Sequence, residues 1–157
     1  MIIKNLHYTN LIQFMIFNRL YGVRVIGIDL NEAAVNWAKK HSLGTFYATN
    51  GVNLSWIPDN TFDHFFSFAA VYYVHPGDVC QFGKEVVRIL KPEGTALFGW
   101  LSGIYSKPFG YQPKEVWDCI ANLDGVEMSI YDDKDLWRSP GDLISNSRSY
   151  SVILKVI

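Results

Sequence analysis

The most informative segment of the chain is Phe62-Asp63-His64-Phe65-Phe66-Ser67-Phe68-Ala69-Ala70-Val71. A half-exposed strand alternates apolar and polar side chains, whereas this segment is apolar almost throughout. Strands of that kind lie in the middle of mostly parallel sheets, where helices cover both faces. We therefore expect residues 62–71 to form a central strand of an α/β sheet.

The segments on either side alternate between strand and helix patterns. Asn31 is placed to cap a helix on the N-terminal side, and apolar residues recur at helical spacing from Val79 to Leu90. The expected elements are strands at 23–29, 45–48, 62–71, 95–101, 126–131 and 150–156 and helices at 11–21, 31–41, 79–90 and 112–123. This order predicts a single domain, residues 1–157, with helices on both faces of one sheet.

Composition limits the classes of partner and of site. With 14 basic and 15 acidic side chains and a net charge of -1, the chain offers no broad attraction to nucleic acid or to an anionic membrane. The apolar run from Leu11 to Phe17 is too short to cross a bilayer. Cys80 and Cys119 form neither a disulfide framework nor a metal-ligand spacing, and they are interpreted as buried apolar residues. A reducing, cytoplasmic location and no metal site are the expectations that follow.

Asp29 is the first candidate for binding a ligand. In α/β sheets ligands bind beyond the carboxyl ends of the strands, and Asp29 ends the strand predicted at 23–29. A carboxylate at the end of the second strand of a nucleotide-binding sheet can accept hydrogen bonds from both ribose hydroxyls. The competing interpretation is a turn or helix-capping aspartate without a ligand.

Four segments, taken in order, carry a resemblance to a known family. They are Val25-Ile26-Gly27-Ile28-Asp29, Thr49-Asn50-Gly51, Pro58-Asp59-Asn60-Thr61-Phe62-Asp63 and Arg88-Ile89-Leu90-Lys91-Pro92-Glu93-Gly94. Through them the chain resembles class I S-adenosylmethionine-dependent methyltransferases of the type-11 kind, over about residues 11–101 and again in the last strand. The resemblance implies a Rossmann-like, doubly wound sheet that is mostly parallel with an antiparallel last strand. It also implies S-adenosylmethionine as cofactor and a small molecule as methyl acceptor.

The resemblance assigns cofactor contacts to the ends of three strands. Asp29 matches the acid that holds the ribose hydroxyls, Asn50 lies in the loop at the adenine amino edge, and Phe68 begins the segment at the methionine end. The family usually carries Asp at position 50. The full set of implied cofactor-binding residues is Asp29, Leu30, Asn50, Gly51, Val52, Phe68, Ala69 and Ala70.

Three side chains after the fourth strand are candidates for the acceptor side: Tyr72, Tyr73 and His75. A sulfonium is an activated methyl donor, so the protein has mainly to align the acceptor and exclude water. Aromatic rings favour a cationic sulfonium, and imidazole is suited to proton transfer near neutral pH. The competing interpretation of His75 is a loop histidine before Pro76.

One departure from the family pattern concerns the first strand and the loop after it. The family places Gly-x-Gly-x-Gly there, because only glycine lets the backbone approach the cofactor closely. This chain contains no Gly-x-Gly, and the matching positions 8–12 carry Tyr-Thr-Asn-Leu-Ile. We therefore expect a first strand that is degenerate, imitated at most by residues 2–6, or missing through truncation at the N-terminus. Weak or absent cofactor affinity would follow.

Two other functions stay open at this point. A noncatalytic relative that serves as a binding or regulatory partner agrees with the absent glycine loop, whereas Asp29 favours the enzyme. A nicotinamide-dependent dehydrogenase also uses an acid after its second strand, but the segment 88–94 and the terminal strand pair argue against it. The acceptor itself is not identified, since the loops 102–111 and 132–149 would select it.

Overall fold

The computed structural model describes residues 2–4, 20–68, 70–102, 114–132 and 149–157. The strands are β1 (Ile2–Lys4), β2 (Ile26–Asp29), β3 (Thr45–Ala48), β4 (Phe62–Phe68), β5 (Leu90–Ser102), β6 (Val126–Asp132) and β7 (Ser149–Val156). The α-helices are α1 (Glu32–His41), α2 (Val79–Ile89) and α3 (Asp118–Ala121), and 3-10 helices lie at Val71–Tyr73, Pro76–Asp78 and Lys114–Trp117. Most of the helix predicted at 11–21 lies outside the described residues.

The described strands form one sheet in the order β3-β2-β1-β4-β5-β7-β6. The pairs among β1 to β5 are parallel, and β7 runs antiparallel to both β5 and β6. The predicted doubly wound sheet, mostly parallel with an antiparallel last strand, is therefore confirmed. In such a sheet the carboxyl ends of the parallel strands meet at one edge, and this edge is where a ligand site is expected.

β1 occupies the centre of the sheet, and the described part of this strand is Ile2–Lys4. Ile2–Lys4 pair with Ile26–Ile28 of β2 on one side and with Phe65–Ser67 of β4 on the other. The first strand is thus present in a degenerate form, which was one of the two expectations. Its pairing matters because each buried backbone group left without a partner costs about 1–3 kcal/mol.

Both faces of the sheet are covered, as the apolar pattern of β4 predicted. Phe65 packs against Phe82 of α2 and Phe98 of β5, with ring centroids 5.8 and 5.4 Å away. Phe66 points to the opposite face of the sheet. Phe46 lies in the same row and on the same face as Phe66, and Phe46 packs against α1. The alternation along β4 therefore joins two apolar layers through one strand.

β5 begins earlier than the predicted start at residue 95. It runs from Leu90, so the segment Lys91-Pro92-Glu93-Gly94 lies within the strand. Glu93 has a φ of 64°, and the register with β4 shifts between Phe62 and His64. Leu90 pairs with Phe62 and Thr95 pairs with His64, so residues 91–94 bulge out between two paired positions, and this bulge accommodates the unusual backbone of Glu93.

The two cysteines correct the sequence-based interpretation. Cys80 of α2 and Cys119 of α3 form a disulfide, with their Cα atoms 6.1 Å apart. They were expected to be unpaired apolar residues, because a separation of 39 residues gives no local signal that the two helices meet. The cytoplasmic expectation rested on unpaired cysteines and loses that support.

Among the described residues, no helix combines the length and the hydrophobicity that a membrane crossing requires. Within the same ranges, no cluster of three or more His, Cys, Asp or Glu side chains has the arrangement of a metal site.

Candidate functional site

The ends of β2 and β4 bring two predicted site residues into one row of the sheet. Lys4 of β1 is the register neighbour of both Ile28 and Ser67. Asp29 follows Ile28, and Phe68 follows Ser67. The two residues therefore lie in the next row of the sheet, and their side chains are on the same face. Two strand spacings separate them, which is about 10 Å. The predicted ribose-binding acid and the predicted methionine-end residue thus lie at one edge.

Asp29 is held in place by the start of α1. Its Oδ1 accepts a hydrogen bond from the backbone N–H of Asn31 at 2.7 Å. Asn31 in turn caps α1, since its Oδ1 accepts from the N–H groups of Ala33 and Ala34 at 3.0 and 3.2 Å. The capping role therefore belongs to Asn31, as predicted, and Asp29 stabilises the turn before it. A carboxylate has about four acceptor positions, so the bond to Asn31 does not prevent it from accepting hydrogen bonds from a ligand.

The loop after β3 lies beside Asp29. The backbone N–H of Thr49 donates to the carbonyl oxygen of Asp29 at 2.9 Å, which joins the ends of β2 and β3. The Oδ1 of Asn50 accepts a hydrogen bond from the backbone N–H of Val52 at 3.0 Å. Gly51, between these two residues, has a φ of 72°, a backbone conformation that favours glycine. Leu30 is 64% exposed at the same edge. The structure thus brings the ribose and adenine candidates together.

The segment after β4 contains the candidates for the acceptor side. Ala69 lies outside the described residues, and Ala70 is buried. Tyr72 and Tyr73 lie in the 3-10 helix Val71–Tyr73, in which the side chain of Tyr73 is 50% exposed. These residues follow the end of β4 directly, on the same edge of the sheet as Asp29.

His75 makes a capping contact. Its Nδ1 accepts a hydrogen bond from the backbone N–H of Gly77 at 3.1 Å, at the start of the 3-10 helix Pro76–Asp78. This bond assigns the imidazole tautomer that carries its proton on Nε2. In this arrangement a proton can be accepted only after the cap is broken. The geometry agrees with the loop-histidine interpretation more directly than with a general base.

Sequence reasoning missed the role of Arg88. Its guanidinium donates to the carbonyl oxygens of Leu54 and Ile57, both at 2.9 Å, and forms an ion pair with Asp59. The carboxylate of Glu85 accepts two hydrogen bonds from the same guanidinium, one from Nε at 3.0 Å and one from Nη2 at 3.1 Å. Segments 58–63 and 88–94, two of the four that carry the family resemblance, are therefore bonded to each other. Their spacing in the sequence was the available signal, but it did not reveal which side chains meet.

The charges of this cluster affect its titration. The hydrogen bond from Arg88 holds the pKa of Glu85 below its usual range, against the opposing effect of partial burial. The hydrogen bonds from Arg88 to Glu85 and Asp59 raise the pKa of the guanidinium further above neutrality. Both groups therefore stay ionised at neutral pH, and the loop 54–59 stays attached to α2.

The residues at the sheet edge fit part of S-adenosylmethionine. The carboxylate of Asp29 suits two ribose hydroxyls. The amide nitrogen of Asn50 has no hydrogen-bond partner within the described ranges and can donate to a ring nitrogen of adenine, and its Oδ1 has a second lone pair for the amino group. Residues 8–12, the positions at which the family has its glycine loop and this chain does not, lie outside the described residues.

Comparison with known proteins gives one family and one fold. The sequence profile of a family described as a methyltransferase domain matches residues 12–98. An S-adenosylmethionine-dependent methyltransferase from Mesorhizobium loti is similar at 16% identity and a TM-score of 0.71, over 98% of this chain and 89% of that chain.

Two further solved structures are similar to the same extent. One is a protein from Pyrococcus horikoshii OT3, at 19% identity and a TM-score of 0.69, over 99% of this chain and 81% of that chain. The other is an S-adenosylmethionine-dependent methyltransferase from Archaeoglobus fulgidus, at 12% identity and a TM-score of 0.67, over 98% and 84%. No match was found among curated proteins. Identities this low establish a shared fold alone.

Proposed function

Because the chain belongs to the methyltransferase domain family, we propose that it binds S-adenosylmethionine and transfers its methyl group to a small-molecule acceptor. The observation that carries the proposal is the position of Asp29, which is the last residue of β2 and lies beside the loop 49–52. S-adenosylmethionine-dependent methylation is supported by the family and by the fold of the solved relatives. The small-molecule acceptor is our proposal.

In this proposal, different residues of the chain contact the ribose, the adenine and the methionine end of the cofactor. Asp29 accepts hydrogen bonds from the ribose hydroxyls, and Leu30 offers an exposed apolar surface for one face of the adenine. Asn50 meets the polar edge of the adenine, and Phe68 faces the methionine end. The bound cofactor supplies an activated methyl group, so the protein contributes alignment and the exclusion of water.

The acceptor side of the proposal involves Tyr72, Tyr73 and His75. Their segment follows β4, so an acceptor above it would approach the methyl group from that strand end. An acceptor of nucleic acid or a membrane surface is not part of the proposal, which agrees with a net charge of -1. A cytoplasmic location stays a prediction, and cell fractionation would test it.

Cofactor affinity is proposed to be weaker than micromolar. The sequence has no Gly-x-Gly, and the bulky residues at 8–12 would keep the backbone from approaching the cofactor closely. The same feature favours a second candidate function, a noncatalytic relative that acts as a binding or regulatory partner. The capping contact of His75 agrees with that candidate too, because it occupies Nδ1.

Isothermal titration with S-adenosylmethionine tests the proposal on the wild type and on Asp29→Asn. The asparagine keeps an oxygen for the N–H of Asn31, so the turn survives, but it loses one acceptor for the ribose. Hydrogen bonds to charged groups contribute about 1.5–3 kcal/mol, so affinity should fall about 10-fold to 100-fold. Asp124→Asn, in an exposed turn, is the matched control and should bind as the wild type does.

The possible results separate the two functions. Binding in the range of tens to hundreds of micromolar that depends on Asp29 supports the enzyme. No heat signal at millimolar cofactor would favour the noncatalytic relative, and micromolar binding by the wild type would contradict the proposed weakness.

A further inference from the structure

β3 forms one end of the sheet, and no strand of the described residues pairs with its outer side. On the inner side, the backbone N–H of Thr45 donates to the carbonyl oxygen of Val25, just before β2, at 3.1 Å. Backbone groups of successive residues in a strand point alternately to its two sides. Those of Phe46 and Ala48 therefore point away from β2, where they form a row to which another strand can bond.

The edge of β3 lacks the side chains that usually protect a sheet edge from pairing. Natural edge strands carry charged residues or proline, and β6, at the other end of the sheet, carries Glu127 and Asp132. β3 has the sequence Thr45-Phe46-Tyr47-Ala48, without a charge or a proline. The strand is short, so an added strand also needs contacts from side chains.

Two exposed aromatic rings lie beside this edge. Tyr47 of β3 packs against Trp56, with ring centroids 4.5 Å apart, although the two side chains are 39% and 45% exposed. The backbone around Trp56 is held in place, since the carbonyl oxygens of Leu54 and Ile57 accept hydrogen bonds from Arg88, both at 2.9 Å. Aromatic side chains are enriched among the residues that contribute most to protein–protein binding. The pair thus offers a contact for an apolar side chain of an added strand.

The charge around the edge indicates the chemistry of the partner. Residues 33–58 include Lys39, Lys40 and His41 but no acidic residue, although the whole chain has a net charge of -1. Both lysines are exposed in the last turn of α1, which leads into β3, and neither forms an ion pair within the described ranges. A second copy would bring the same basic segment against itself in a two-fold interface. Lipid-binding segments carry clusters of about four to eight lysines and arginines, more than are present here.

We propose that the outer side of β3 binds an extended, acidic segment of another protein, which joins the sheet as an additional strand. Its backbone bonds to Phe46 and Ala48. One of its apolar side chains packs on Tyr47 and Trp56, and its acidic side chains lie near the two lysines of α1. Strand addition of this kind takes its affinity from the main chain and its specificity from such side-chain contacts. The inference goes beyond the proposed function and does not depend on the cofactor.

Fluorescence anisotropy tests the proposal with a labelled synthetic peptide of alternating valine and glutamate, which is acidic and forms strands readily. The first control peptide alternates valine and lysine. The second is the acidic peptide with N-methylated backbone amides, which cannot donate hydrogen bonds to a strand edge. Only the unmodified acidic peptide should bind the full chain saturably.

Three variants locate the binding surface. Ala48→Pro removes an N–H that points away from β2, so it costs no hydrogen bond of the sheet, and it should weaken peptide binding about 10-fold. Trp56→Ala should weaken it about 10-fold to 30-fold. Tyr131→Ala removes a ring that is 40% exposed on β6 and should bind as the wild type does. Urea denaturation checks that each variant is folded.

Several results would overturn the inference. They are no saturable binding of the acidic peptide, equal binding of its N-methylated form, and unchanged binding by Ala48→Pro and Trp56→Ala. A dimer in analytical ultracentrifugation that Ala48→Pro dissociates would assign the edge to a second copy instead. Binding of phosphatidylserine vesicles in place of the peptide would assign it to a lipid surface. None of these measurements involves S-adenosylmethionine, so each result leaves the proposed function intact.

Discussion

Arg88 binds Glu85, one helical turn before it in α2, through two parallel hydrogen bonds of 3.0 and 3.1 Å. Glu85 uses the same carboxylate to accept from the backbone N–H of Leu54 at 2.8 Å. The pair therefore holds both an N–H group and carbonyl oxygens of the loop that leads into β4. Because β4 forms the candidate site with its carboxyl end, the pair supports that site from the opposite end of the strand.

Arg88→Lys should lower the free energy of unfolding by about 2–4 kcal/mol. An ammonium cannot reproduce the planar fork, so carbonyl oxygens of Leu54 and Ile57 would lose their donors. Urea denaturation at neutral pH measures the change. Lys84→Arg, on the exposed side of α2, is the reverse substitution and should stay within about 0.5 kcal/mol of the wild type. An equal effect of the two variants would contradict the role of Arg88.

The Glu85–Arg88 pair should also contribute to acid unfolding. The pKa of Glu85 is lowered in the folded state, chiefly by its hydrogen bond with Arg88. Its contribution is therefore complete above the unfolded pKa, about 4.3, and is lost as the pH falls through the lower folded value.

Glu85→Gln should thus be less stable than the wild type at pH 7, and the difference should shrink below about pH 4. Urea titrations at a series of pH values measure it. Glu115→Gln changes an exposed carboxylate and should show a small difference at every pH. A Glu85→Gln deficit that stays constant down to pH 3 would contradict the pKa shift.

Reduction of the disulfide should destabilise the protein. Closing a loop of 39 residues corresponds to about 4 kcal/mol in the chain-entropy treatment, so thermal unfolding should shift to lower temperature with dithiothreitol. Cys80→Ser and Cys119→Ser should each give the same loss and no longer respond to the reductant. Two reactive thiols in the denatured, unreduced wild type would contradict the bond.

Gly83→Ala tests the packing of α2 on α3. A Cβ atom there would lie 2.8 Å from Cδ1 and 2.9 Å from Cγ1 of Ile120. Overpacking costs about 1–3 kcal/mol, which offsets the gain of about 1 kcal/mol in helix propensity. Ile120→Val removes Cδ1, so the substitution Gly83→Ala should be better tolerated in that background. Additive effects in the double-variant cycle, measured by urea denaturation, would exclude the predicted clash.

His75→Asn separates the cap from the proposed base. Asparagine is a good capping residue and keeps an acceptor for the N–H of Gly77, whereas His75→Ala loses it. The alanine variant should be destabilised by about 1 kcal/mol, and the asparagine variant by a few tenths. Once an acceptor is known, unchanged turnover in His75→Asn would remove the imidazole from the mechanism, whereas a general base would cost about 10²–10⁴-fold.

Much of the site could be located from sequence, because strand ends are local features. The apolar run predicts Asp29 at a strand end, the family resemblance implies Phe68 at the methionine end of the cofactor, and the structure has both at one edge of the sheet. The apolar runs could not predict which residue lies beside Phe68 on the neighbouring strand. Phe68 and Gly99 are 31 positions apart, and their contact exists only because β4 and β5 pair in one register.

The sequence by itself determined the alternation of strands and helices, the mostly parallel sheet, the cap at Asn31 and the family. These follow from short-range periodicity and from motifs whose residues are close along the chain. Tertiary structure alone decided that Ile2–Lys4 pair with both β2 and β4 at the centre of the sheet, that Cys80 bonds Cys119, and that Arg88 holds the loop before β4. The physical reason is that each of these depends on which distant segments pack together, and packing joins side chains whose separation in sequence carries no pattern.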